Sequence, residues 1–107
     1  MTIPGSLVNV SALTFYKVVD QDRMVTLSND GTLTVRNAYG SIILEKETAL
    51  GSNPYLQKST LVPVVNSVSQ LLILSISSCV YLFDLRNLDA LYELRNSGLI
   101  FLGSFKW

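Results

Sequence analysis

The sequence predicts an all-β protein, and two observations support this prediction. Short apolar runs rich in β-branched and aromatic residues alternate along the chain with clusters of Gly, Asn, Asp and Ser, which is the pattern of strands and turns. The chain has 107 residues, of which 49% are hydrophobic and 15% charged, so it holds enough apolar material for one buried core. We therefore expect an ordered domain of antiparallel strands.

The clearest local unit is a hairpin predicted for Met24–Asn37. Val25 and Leu27 alternate with polar neighbours, and the turn sequence Asn29-Asp30-Gly31 follows them. Gly31 can adopt the positive φ that such a turn requires. A second reversal leads into another apolar run, so three antiparallel strands are expected to follow one another as a meander.

The same pattern predicts strands on both sides of a polar connection at 46–59. This connection contains Asn53-Pro54, a step that favours turn initiation and interrupts a helix or strand. The predicted strands are Leu7–Val10, Thr14–Val19, Met24–Ser28, Thr32–Asn37, Ser41–Glu45, Thr60–Val65, Leu71–Ile76, Val80–Leu85, Ala90–Leu94 and Leu99–Phe105.

The two halves of the chain align without a gap at a constant offset. The matched pairs are Leu27 with Leu74, Ser28 with Ser75, Leu33 with Val80, Val35 with Leu82 and Asn37 with Asp84. Repeats of roughly 40 to 50 residues that carry four short strands are typical of repeat architectures in which each unit packs on its neighbours. We expect two such repeats here.

One segment also fits a helix. Apolar residues recur at three- and four-residue spacing, at Leu85, Leu88, Leu91, Tyr92 and Leu94, and Asn87 is a suitable N-cap. A short helix near 87–95 therefore remains open beside the predicted strand Ala90–Leu94. We favour the strand because the preceding strand needs an antiparallel neighbour.

Two motifs resemble known propeller repeats. Asn29–Asn37 resembles the turn and third strand of a WD-repeat blade, whose common form is Ser-Asp-Gly-Thr-Ile-Arg-Val-Trp-Asp, with Arg36-Asn37 and Phe83-Asp84 at the Trp-Asp position. The run from Leu71 to Leu91 more closely resembles the citron-homology propeller domain. In that domain an apolar strand, a short turn, the sequence Val-Tyr-Leu-Phe-Asp-Leu and a Leu-x-x-Leu motif follow in order.

The resemblance implies two four-stranded, blade-like meanders of a β-propeller, at 7–47 and 58–95, with a terminal strand at 99–105. The Gly-His pair that opens many WD blades is missing because the chain has no histidine. Two blades are also fewer than the four to eight that close a ring. Residues 1–107 are therefore expected to be a propeller fragment, one subunit of a ring of copies, or a single compact β domain.

The charge balance narrows the choice of partner. Eight Lys and Arg residues match eight Asp and Glu residues, so the sequence gives no basic surface for nucleic acid or an anionic membrane. The longest apolar segment, Leu71–Phe83, is shorter than the roughly 20 residues of a membrane-spanning helix, so no membrane insertion is expected. A net charge near zero favours association, and we expect a protein partner, the remainder of a propeller, or a homo-oligomer.

The sequence gives little support for a catalytic or metal-binding site. Without histidine the chain lacks Ser-His-Asp and Cys-His pairs, and Ser77-Ser78-Cys79 has no lysine nearby in sequence to activate it. Asp20, Asp22 and Asp30 lack the glycine and downstream glutamate of a calcium loop, and we interpret them as turn carboxylates. The glycines form no phosphate-binding loop. We expect no cofactor and no metal.

Five residues are candidates for partner binding. Arg36, Arg86 and Arg95 fall at or near predicted strand ends, where arginines can clamp an acidic peptide. Tyr39 and Tyr92 are amphipathic aromatics of the kind that anchor interfaces, although Tyr92 also fits packing between sheets.

These observations favour a non-enzymatic interaction module or scaffold. The resemblance to citron-homology propellers implies a role in vesicle tethering or small-GTPase regulation. Two alternatives remain: a carbohydrate-binding propeller formed by copies of a two-blade chain, and a small β-domain enzyme with an unseen cofactor. The single Cys79 and the absence of a basic residue before Lys17 favour a reducing, cytoplasmic location without a secretory signal.

Overall fold

The computed structural model describes residues 10–95 and 98–101, and within them nine strands form two antiparallel meanders, which confirms the all-β prediction. The first sheet has the order β1-β2-β3-β4 and the second the order β5-β6-β7-β8-β9. The strands are β1 Val10–Val18, β2 Gln21–Ser28, β3 Thr32–Asn37, β4 Ile42–Glu47, β5 Thr60–Val65, β6 Gln70–Ile76, β7 Cys79–Asp84, β8 Ala90–Arg95 and β9 Gly98–Phe101.

Strand β1 corrects the prediction at the start of the chain. Two strands were expected, Leu7–Val10 and Thr14–Val19, whereas a single strand covers Val10–Val18 and residues 7–9 lie outside the described part. The turn to β2 is only Val19 and Asp20, both with positive φ (49° and 63°). A β-branched residue rarely adopts this conformation, so the sequence carries no turn signal at Val19.

The hairpin predicted between Met24 and Asn37 is present as β2 and β3. The Gly31 amide donates to the Ser28 carbonyl at 3.0 Å, and Gly31 has a φ of 88°, as the turn requires. The turn packs on the connection between the sheets. There the Thr48 hydroxyl donates to the Gly31 carbonyl at 2.6 Å, and a Cβ on Gly51 would collide with the carbonyl of Asp30.

The polar connection between the sheets is shorter and more ordered than expected. Strand β4 continues to Glu47, so the connection begins at Thr48 rather than at residue 46. It forms two single-turn 3₁₀ helices, Ala49–Ser52 and Leu56–Lys58. Each supplies one buried leucine, Leu50 and Leu56, to the core. Burial of these two side chains explains why a segment rich in turn residues is held against the sheets.

The helix alternative for 87–95 is wrong, because Ala90–Arg95 is strand β8, paired with β7. Phe83 lies opposite Ala90 and Leu82 opposite Tyr92, which leaves Leu91 as an extra residue on β8. Such a β-bulge breaks the two-residue alternation of a strand. The bulge and the buried loop leucines before it together produce the spacing that resembled a helix.

The ungapped alignment of the two halves holds through β2 and β6 but not across the next turn. The first hairpin turns through three residues, Asn29–Gly31, whereas the second turns through only Ser77 and Ser78. Leu27 therefore lies opposite Leu33, while Leu74 lies opposite Tyr81. Because successive strand side chains alternate between faces, this difference of one residue places Leu33 and Val80 on opposite faces of their sheets.

One continuous core lies between the two sheets. The buried residues of the core are Tyr16, Val25, Leu27, Leu33, Val35, Leu50, Leu56, Leu61, Leu72, Leu74, Ile76, Tyr81, Phe83, Leu85, Leu88 and Ala90. The first strands of the two sheets, β1 and β5, lie next to each other. An ion pair between Lys46 on β4 and Asp89 before β8 links the sheets at another point. The sheets are therefore packed face to face, each leaving its other face outward.

Candidate functional site

The outer face of the second sheet is the candidate site. Its residues point away from the core and form rows across the strands, as the pairing register of β5 to β8 establishes. They are Val62, Val64, Leu71, Ile73, Val80, Leu82, Tyr92 and Leu94, with Thr60 and Ser75 at one end. We call this set the outer face of the second sheet.

Its apolar side chains are accessible. Val62 is 49% exposed, Leu94 46% and Tyr92 36%, whereas Ile73 and Leu82 in the centre are half-buried by their neighbours. Scattered exposed apolar residues are normal in proteins, but a contiguous patch of this kind marks a binding surface. The core face of the same sheet is also apolar. The second sheet is thus hydrophobic on both faces, as expected of a sheet covered on both sides.

The outer face of the first sheet has a different composition. Threonine residues occupy its centre, with Thr26 directly opposite Thr34, and both are buried beneath longer neighbours. The Thr34 hydroxyl donates to a Glu45 carboxylate oxygen at 3.2 Å. Arg36 and Glu47 extend the polar surface along β3 and β4. Apolar side chains on this face include Leu13 and Phe15 on β1, Met24 on β2 and Ile42 on β4. Hydroxyl and charged groups interrupt them, so this face is less continuously apolar than the outer face of the second sheet.

One charged residue lies on the outer face of the second sheet among the residues described, and it is neutralised locally. Asp84, opposite Leu71, accepts from Nε and a terminal nitrogen of Arg86 at 3.0 and 2.9 Å, and from the Arg86 amide at 2.9 Å. These bonds hold the pKa of the Asp84 carboxyl below its usual value. Covering this face would therefore leave no unpaired charge at Asp84.

The five residues proposed from sequence lie on separate surfaces. Arg36 is on the outer face of the first sheet, and Tyr39 is 90% exposed in the β3–β4 turn. Arg86 is engaged by Asp84, and Arg95 donates to the buried carboxylate of Glu93 on the core side of β8. Of the five, Tyr92 lies on the outer face of the second sheet.

The residues considered above for catalysis lie in and beside a turn between two strands. Ser77 and Ser78 form the β6–β7 turn, and Cys79 is half-buried where β7 begins. Within the described residues no group of three or more His, Cys, Asp or Glu side chains could hold a metal ion.

The shifted pKa values of two further side chains are explained by their positions in the fold. Burial raises the pKa of Tyr16, and a hydrogen bond from Ser28 lowers that of Asp30.

Sequence reasoning missed most of the candidate site. It proposed charged and aromatic residues at strand ends, whereas the exposed surface consists, apart from Tyr92, mainly of aliphatic residues within strands. A signal was present in the sequence: Leu71–Leu74 is a continuous apolar run rather than an alternating one. Such a run indicates a strand that is apolar on both faces. The apolar run does not determine whether other parts of the same chain cover both faces.

Comparison with known proteins gives no further identification. No protein family, curated protein or solved structure matches the chain. Within the described residues there is no helix that is both long enough and apolar enough to cross a membrane.

Proposed function

We propose that this chain is a non-enzymatic protein-interaction module whose contact surface is the outer face of the second sheet. The observation behind the proposal is the continuity of that face: eight apolar residues on four neighbouring strands, with Asp84 neutralised at its margin. The charge balance of the whole chain disfavours nucleic acid as the partner. A protein that presents an apolar surface fits this face best.

The energetics favour a covered state. The four strands β5 to β8, about 4.8 Å apart and about 20 Å long, make a face on the order of 400 Å². At about 25 cal/mol per Å² of apolar surface, removing it from water contributes about 10 kcal/mol before the entropic costs of association are subtracted. This gross contribution is of the same order as those costs, so it favours a weak association with a partner rather than a permanent one.

A place in a β-propeller is a more specific form of the same proposal. It is supported by the two consecutive meanders and by the adjacent first strands, β1 and β5, an arrangement similar to the inner strands of neighbouring blades. The polar outer face of the first sheet weighs against a closed ring made only of copies. A role in vesicle tethering or small-GTPase regulation rests on the resemblance to citron-homology domains alone.

The lack of catalytic chemistry is part of the proposal. The chain has no histidine, and the carboxylates of Asp84 and Glu93 are bound by arginines of the same sheet. The single cysteine is consistent with a reducing intracellular compartment, which we propose as the location.

The proposal is tested by the accessibility of the face to an apolar dye. We expect anilinonaphthalene sulfonate to bind the dilute wild-type chain and to bind much more weakly to the double variant Val62→Lys/Leu94→Lys. Val19→Lys is the matched control, because Val19 is fully exposed in the β1–β2 turn. Circular dichroism on all three proteins verifies the fold. Equal dye fluorescence from the wild type and the folded double variant would overturn the proposal.

A further inference from the structure

The size of the outer face of the second sheet matches one side of a small protein interface. At on the order of 400 Å² per copy, two such faces bury about 800 Å² together, an area in the range of weak, transient associations. Strands β5 to β8 supply six or seven residues each, so the face is nearly rectangular. A flat sheet face is best covered by another flat sheet face, with the two packed about 10 Å apart.

The face has three rows across its strands. One row, Val64, Leu71 and Asp84, lies at the margin, and the other two are of unequal height. The register of the strands aligns the larger row as Val62, Ile73, Leu82 and Tyr92, and the smaller row as Thr60, Ser75, Val80 and Leu94. Consider a twofold axis in the plane of the interface that runs perpendicular to the strands, between the larger and the smaller row. Rotation about this axis places the larger row of one copy on the smaller row of the other. This arrangement lets the side chains interdigitate, so the face is complementary to itself.

Charge also favours a second copy that presents the same face. The formal net charge of zero means that copies do not repel each other. Head-to-tail stacking on the first sheet would place apolar side chains over Arg36, Glu45 and Glu47 and remove their charges from water. Packing one outer face of the second sheet on another avoids this cost, since Asp84 is already bound by Arg86.

We propose that two copies of this chain associate through the outer faces of their second sheets and form a symmetric, sheet-on-sheet dimer. This proposal rests on the interaction surface proposed above, and it identifies the partner at that surface as a second copy of the chain. Because the area is in the range of weak, transient interfaces, the dimer is expected to exchange with the monomer and to dissociate on dilution.

The test is a concentration series of the full chain by light scattering behind a sizing column. We expect the wild type to approach twice the monomer mass as concentration rises. The double variant Val62→Lys/Leu94→Lys, with one lysine in each row, is expected to weaken the dimer at least about 10-fold, because each lysine then faces apolar side chains. Val19→Lys should dimerise like the wild type.

The outcomes separate this proposal from the one on which it rests. A wild type that stays monomeric, or forms assemblies of three or more copies, overturns the symmetric dimer. A folded double variant that dimerises as well as the wild type overturns it too. If the monomeric wild type still binds the dye through Val62 and Leu94, the interaction surface remains and its partner is a different protein. If it binds no dye there, both proposals fail.

Discussion

The two sheets share one core and one strand order, yet their outer faces differ. In both sheets the fourth strand carries a bulge opposite the middle of the third, between Val35 and Arg36 in the first and between Leu82 and Phe83 in the second. The outer face of the first sheet is centred on Thr26 and Thr34. Similar meanders thus support an outer face centred on threonines in one sheet and a more continuously apolar outer face in the other.

The loops that follow β3 and β7 also differ, and again the second sheet has the more apolar one. Asn37 closes the first loop by accepting from the amides of Tyr39 and Ser41 at 2.9 and 3.0 Å, and this loop holds Tyr39 out in solvent. Asp84 begins the second loop, which instead carries Leu85 and Leu88 into the core. The second sheet therefore contributes more to the core as well as offering the more apolar outer face.

The largest expected effect tests whether the two sheets are one cooperative unit. Phe83 is fully buried in the common core, and Phe83→Ala is expected to lower the free energy of unfolding by about 3–5 kcal/mol. Urea unfolding followed by circular dichroism measures the loss. Hydrogen exchange should show that protection falls in β2 and β6 together. If β2 retained its protection, the sheets would be separate folding units, and the comparison would be between two domains.

Sequence reasoning could find most strands because their signals are local. The alternation around Val25 and Leu27 and the glycine of the first turn define a hairpin without any knowledge of the rest of the chain. The turn at Val19 was missed because its backbone conformation contradicts the preference of a β-branched residue. There the strands on either side determine the turn, and the residue within it does not.

The candidate site was harder to predict because exposure is a property of the assembled fold. Ile73 and Leu74 are neighbours in one apolar run, but only the pairing of β6 with β5 and β7 determines which of them enters the core. The one-residue difference between the two hairpin turns changes this assignment in β7 as well. No composition rule distinguishes the two faces before the register is known.

The second-largest expected effect is a difference in stability between variants of Asp84 and Asn37, whose side chains close the loops after β7 and β3. Asp84→Ala is expected to cost about 2 kcal/mol, because it removes charge-assisted bonds and the bond to the Arg86 amide from a buried position. Asn37→Ala removes two neutral bonds from an exposed loop and should cost about 1 kcal/mol or less. Urea unfolding of the two variants measures the difference. Equal losses would show that the second loop is held by its leucines rather than by Asp84.

A smaller effect is expected in the pH dependence of stability. Because the folded pKa of Asp84 is depressed by Arg86, Asp84 stabilises the protein above its unfolded pKa of about 3.9, and this contribution is lost as pH falls through the folded value. Arg86→Gln should lower stability at pH 7 and have less effect near pH 3. Lys17→Gln, at an exposed ion pair of the first sheet, is the control. A difference from the wild type that stays constant between these pH values would contradict the assignment.

The smallest expected effect on stability comes from making the two outer faces alike. Thr26→Val/Thr34→Val replaces two buried hydroxyls in the first sheet, and one of them gives up its bond to Glu45. The added methyl groups offset part of that loss, so we expect stability to change by less than about 1 kcal/mol. Dye binding should nevertheless rise, since the new valines extend the apolar row that begins at Leu13. If dye binding does not change, the charged side chains along β4, rather than the threonines, keep the dye from this face.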